Sequence, residues 1–238
     1  MVTALILYWP YIFFLTHIRH VPPWVLRAGV SDKTLHYLGY FILAFLLWSA
    51  VKPENRVNWR SGAAWWVLTA AVLYAALDEY LQGYFGRDTD IMDFAADMAG
   101  VFTGLFVQTL FFFWPAALIL TGTCIFVLTN FTRTDIYGLL PVTSTMFGFL
   151  AYALLTLLWI RCMRDFLKAG FPQWRWFVAA PALPVGFLIA VELFAHATDG
   201  GFLPMRIKIC AAGIVAALTL AASAKVVVWK GRTHGRSD

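Results

Sequence analysis

Eight apolar stretches, most of them near the ~17–25 residues a helix needs to cross hydrocarbon, constrain this chain more than any other feature. They fall at residues 2–18, 34–51, 61–85, 90–113, 116–130, 138–160, 176–197 and 206–229, with short polar links between them. Charged residues make up only 13% of the chain and hydrophobic ones 61%, against about 25% charged in soluble domains. A membrane barrel needs short strands of alternating polarity, whereas these runs are apolar on every face. The expected fold is all-α, a polytopic membrane helical bundle of about eight transmembrane helices. The tightest connection is Trp114-Pro115, where proline is expected to turn the chain between the fourth and fifth spans.

With eight spans both termini share a side. Most of the eighteen Lys and Arg residues fall on that side, including Lys52, Arg56, Arg161, Arg164, Lys225 and Lys230. Positive residues favour the cytoplasm, so the expectation is a multi-pass protein of the cell (inner/cytoplasmic) membrane with both termini cytoplasmic. The first stretch lacks a basic n-region and a small-residue cleavage site, and reads as a retained span rather than a signal peptide. The net charge of +5 is explained by cations flanking the spans and gives no reason to expect a nucleic-acid partner. Cys124, Cys162 and Cys210 lie inside apolar runs without metal-ligand spacing, and read as packing residues.

One stretch breaks the apolar pattern. DEYLQGYFGRDTDIMDFAADMAG, residues 78–100, holds Asp78, Glu79, Asp88, Asp90, Asp93 and Asp97, nearly half of the thirteen carboxylates, with Arg87 as the one cation among them. At about 1.5 Å per residue, Asp78 and Asp97 lie ~10 Å below the same membrane surface. Spans three and four are expected to be antiparallel neighbours, bringing Asp78 opposite Asp97 and Gln82 opposite Asp93. On span four, Asp90, Asp93, Asp97, Gly100 and Gly104 fall within a sector of ~80°. Gly100 and Gly104 form a GxxxG pair that lets another helix approach closely. On span two, Asp32, His36 and Tyr40 share one stripe, Lys33 can reach a neighbouring carboxylate, and Ser31 or Asp32 can cap the helix.

Several of these residues have plain structural explanations. Asp88, Asp90 and Asp32 stand where capping and the helix dipole favour acid in any protein. His36 or Tyr40 alone could be core, and Gln82 alone means little. Asp78, Glu79, Asp93 and Asp97 are different, since an ionised carboxylate at mid-span costs ~3 kcal/mol and such residues usually line a site.

These residues resemble the VanZ-like family, small membrane proteins named after a teicoplanin-resistance protein. The matching pieces are Asp32-Lys33-x-x-His36 with Tyr40-Phe41, then Asp78-Glu79-x-x-Gln82, then Arg87, then Asp93-x-x-x-Asp97-x-x-Gly100 with Gly104. Asp97 stands where the family most often has asparagine. The resemblance covers about residues 1–110 and implies a VanZ-like four-helix membrane domain over 1–114, leaving 115–238 as a second, unassigned four-helix region. It also implies a role at the bacterial cell envelope, tied to glycopeptide resistance.

Three functions follow as expectations. The first is a binding or accessory protein that recognises an envelope lipid, a lipid-linked cell-wall precursor or a glycopeptide antibiotic of the teicoplanin type. Its ligand-binding residues are Asp32, Lys33, His36, Tyr40, Asp78, Glu79, Gln82, Arg87, Asp93 and Asp97. No cofactor is called for; a divalent cation, Mg²⁺ or Ca²⁺, would suit the oxygen ligands, and zinc is disfavoured by a single nearby histidine. The second is an intramembrane hydrolase or transferase on a lipid-linked substrate, in which coupled carboxylates serve as acid and base, although no hydrolase signature is present. The third is a proton-coupled carrier, using Glu192 and His196 on span seven, which Pro181 and Pro184 are expected to interrupt.

Overall fold

The computed structural model describes residues 1–17, 31–85, 90–130, 141–166, 173–199 and 204–234. Among these, eight helices and no strands are found: α1 Val2–His17, α2 Asp32–Val51, α3 Gly62–Tyr84, α4 Ile91–Leu110, α5 Phe113–Asn130, α6 Pro141–Phe166, α7 Trp174–Asp199 and α8 Pro204–His234. Six of them (α2, α4, α5 and stretches of α6, α7 and α8) are long and apolar enough to cross a membrane. Large apolar side chains such as Leu7, Phe14, Leu73, Phe102, Phe106 and Leu220 stand exposed on the helix faces, surface that water would penalise and hydrocarbon accepts. The chain is a helical membrane bundle.

Two compact units divide it, Met1–Asp135 and Ile136–Asp238. The sequence division falls at 114, whereas in packing α5 belongs with the first four helices. It lies against α2 and α4, and Phe113 meets Phe45 with ring centroids 5.4 Å apart. The turn between α4 and α5 also differs from expectation. It is made at Phe111 and Phe112, and Pro115 sits in the first turn of α5. There a missing N–H costs nothing, because that turn has no carbonyl to donate to.

The tightest seam of the first unit joins α2 to α4, two helices that run in the same direction. Their register is read from contacts along its length: Lys33 with Asp93, His36 with Asp97, Ser49 with Gln108. A Cβ at Gly100 would collide with the Tyr37 carbonyl oxygen, and one at Gly104 would press on Phe41 and Ala44 at 3.0 Å. The two glycines therefore let backbone meet backbone, as small residues do between membrane helices. The expectation of α3 and α4 as antiparallel partners holds only as a lesser contact; glycine on the polar face of α4 selects α2 instead. At the far end of the seam Ser49 donates to Gln108 at 3.2 Å, Val57 N–H donates to the Gln108 carbonyl at 2.9 Å, and Trp59 Nε1 donates to Thr109 at 2.9 Å. These bonds fold the 52–61 connection back under the bundle.

In the second unit α6 and α8 form the closest pair, with Gly213 against the Phe149 carbonyl. The α7 helix runs unbroken through Pro181 and Pro184. The expected interruption is absent, as proline is tolerated in membrane helices; the neighbouring α6 packs close here, where Trp159 Nε1 donates to the Ala179 carbonyl at 2.8 Å. Glu192 is held by the Arg206 guanidinium in a bidentate pair, 2.7 and 2.8 Å.

Candidate functional site

Chain direction brings the C-terminal ends of α1 and α3 and the N-terminal ends of α2 and α4 to one end of the first unit. The sequence placed its carboxylates at these ends, and the seam decides which basic groups they meet. On α2, Lys33 reaches out to Asp90 at 2.7 Å and to Asp93 Oδ1 at 3.2 Å. One turn deeper, His36 Nδ1 donates to Asp97 Oδ1 at 2.9 Å, while its Nε2 stands 4.0 Å from Asp93 Oδ2. His36, Asp93 and Asp97 are all buried.

Asp90 is the N-cap of α4, its side chain accepting from Met92 N–H at 2.8 Å, the role its position suggested. The Lys33 ammonium, and then that backbone N–H, hold its carboxyl below the usual aspartate range. Glu79 accepts the Asp90 backbone N–H, so the end of α3 is tied to the start of α4. Ser31 is the N-cap of α2, but its side chain makes no capping bond; its carbonyl accepts from Thr34 and Leu35 instead.

A second layer lies between α1 and α3. The Thr16 hydroxyl stands 3.0 Å from Asp78 Oδ1 and 3.1 Å from the Phe13 carbonyl, donating to one at a time. His17 Nδ1 donates to the Phe13 carbonyl at 2.9 Å and lies 3.5 Å from Asp78. Its ring stacks on Phe13 at 4.0 Å and meets Phe85 edge-on at 4.9 Å. Asp78 is thus held by α1 and Asp97 by α2.

Around this layer runs a set of buried polar atoms with no hydrogen-bond partner among the described residues: Tyr40 and Tyr74 hydroxyls, Asp78 Oδ2, Asp97 Oδ2, Glu79 Oε2, both amide atoms of Gln82, and His17 Nε2. Tyr40, Gln82 and Asp97 expose none of their surface. Leaving one such atom unmade costs ~1–3 kcal/mol, and here they gather at one end of four helices. The set holds donors and acceptors together.

Of the residues expected to form the site, Asp32, Lys33, His36, Tyr40, Asp78, Glu79, Gln82, Asp93 and Asp97 all lie at this end. Arg87 and Asp88 lie outside the described residues. Thr16, His17 and Tyr74 were not foreseen. Thr16-His17 closes the first span in the sequence, and two polar residues at a span end adjoining an acid-bearing helix were the available signal. Glu192, expected beside His196, has Arg206 as its ion-pair partner and belongs to the second unit. Comparison with protein-family models, with curated proteins and with solved structures found no match.

Proposed function

We propose that this protein binds an envelope component at the polar end of α1–α4, in the manner expected of a VanZ-like protein of the cell membrane with that end facing outward. The observation that carries the reading is the gathering of buried, unpartnered donors and acceptors from Tyr40, Tyr74, Asp78, Gln82 and Asp97. A group that meets both kinds must itself offer both, which hydroxyls, amides and ammonium groups do. The headgroup of a membrane lipid, a lipid-linked cell-wall precursor and a teicoplanin-type glycopeptide all carry such groups. Acidic side chains favour the cationic or hydroxyl-rich portion of that ligand.

The His36–Asp97 pair favours a second reading, an intramembrane hydrolase or transferase on the same class of lipid-linked substrate. An imidazole oriented by a carboxylate is the usual form of a general base. A carrier has less support, because Ser49 and Gln108, a polar pair at the opposite end of the seam, bond to each other.

The test is teicoplanin sensitivity of a susceptible host making wild-type protein, Asp78→Asn or Gln82→Ala at matched membrane levels. Protection by the wild type, lost in both variants, supports the binding reading. A wild type that gives no protection removes the glycopeptide and resistance reading, and photo-crosslinking of bound lipid then decides whether the headgroup reading survives.

A further inference from the structure

We propose that Asp32, His36 and Asp93 hold a divalent transition-metal ion, with one side left open for an anionic oxygen of the bound ligand. The proposal rests on reading this end of the bundle as a binding site, and it names the chemistry of the ligand's anionic part, a phosphate or carboxylate. One ligand atom from each of the three residues lies within 4.8 Å of the other two. Donors sharing an ion at ~2.0–2.2 Å stand about 3–4 Å apart. The 4.0 Å between His36 Nε2 and Asp93 Oδ2 is too long for a hydrogen bond and fits two ligands of one ion.

The histidine supplies the second observation. His36 is 3% exposed, and its Nε2 has no hydrogen-bond partner among the described residues. Its Nδ1–H is given to Asp97, which leaves the Nε2 lone pair aimed at the two carboxylates. A carboxylate on the far nitrogen is how proteins fix the tautomer and basicity of a metal-binding imidazole; Asp97 is thus a positioning residue. The Lys33 ammonium does not occupy the spot, since it sits closer to Asp90 and reaches Asp93 through Oδ1, leaving Oδ2 toward His36. Asp32 is the exposed member, giving an ion a way in. An imidazole nitrogen among the ligands selects zinc-like ions over Mg²⁺ and Ca²⁺, which take oxygen. This changes the cation expected from the carboxylates alone.

The experiment titrates chelator-stripped, full-length protein in detergent with Co²⁺, followed by Zn²⁺. One equivalent of Co²⁺ is expected to give a visible ligand-field band that Zn²⁺ displaces. Asp32→Asn, at an exposed position, and His36→Gln should each abolish the band, while Glu54→Gln, remote in sequence on the α2–α3 connection, should keep it. Asp97→Ala should weaken binding ~10–100-fold, and Asp97→Asn should recover part of it, because the amide oxygen still accepts from Nδ1–H. Wild type with no more uptake than Asp32→Asn, or His36→Gln binding as tightly as wild type, overturns the site. No lipid or glycopeptide enters this assay. Metal uptake without glycopeptide protection or lipid crosslinking therefore sinks the envelope reading alone, and protection or crosslinking without uptake sinks the metal alone.

Discussion

A single methyl group at Gly100 has nowhere to go, since it would meet the Tyr37 carbonyl, an atom of the backbone. Gly100→Ala is expected to lower stability by ~1–3 kcal/mol, the usual cost of overpacking, read as a fall in the thermal unfolding midpoint in detergent. Gly62→Ala, with nothing within 4 Å of the added carbon, should leave it unchanged or slightly raised. Asp90 makes a prediction about pH. Lys33 depresses its folded pKa below the unfolded value, so its contribution is present above the ordinary aspartate value near ~4. That contribution is lost as pH falls through the lower, folded value. Asp90→Asn should therefore unfold earlier than wild type at neutral pH. The gap between the two melting curves should close in acid; a gap that persists there assigns the loss to the cap or to packing.

Helices were easier to locate from the sequence than to pair. Run lengths located the eight described helices, most ends within about three residues, although the C-terminal ends of α6 and α8 run five or six residues further than expected. The stripe Asp90, Asp93, Asp97, Gly100 and Gly104 announced a polar packing face on α4. Its partner was not legible: a glycine pair states that something comes close without stating which helix, and the structure puts α2 there, with α3 as a lesser neighbour. Thr16 and His17 were hidden for a similar reason, since Asp78 reaches them only through the packing of α1 on α3. Pro115 misled because the first turn of a helix accepts proline as readily as a turn does, and Pro181 and Pro184 because membrane helices tolerate proline that a soluble helix would not. The far end of the α2–α4 seam offers a test at this scale. Ser49→Ala leaves the buried Gln108 Oε1 without its 3.2 Å donor, and should cost ~1–3 kcal/mol in the same melting assay without altering metal uptake at the opposite end.

The molecule divides into a unit that carries the polar site and a unit that buries the Glu192–Arg206 pair. Removing one partner of a buried pair costs ~3–5 kcal/mol, while replacing both with apolar residues often costs little. Glu192→Leu should thus expose Cys162 and Cys210, buried in that unit, to a thiol reagent, leave Cys124 labelling as in wild type, and be largely rescued by Arg206→Met. In the first unit the parallel course of α2 and α4 has a consequence for biogenesis. Two parallel helices are necessarily separated in the chain by a third, so α4 emerges from the ribosome after α2 and α3 are made. Lys33 and His36 are then already stationed at the membrane when Asp90, Asp93 and Asp97 arrive. The acid-bearing helix is the later guest and enters beside a basic host, so the order of translation spares its carboxylates a solitary passage into lipid.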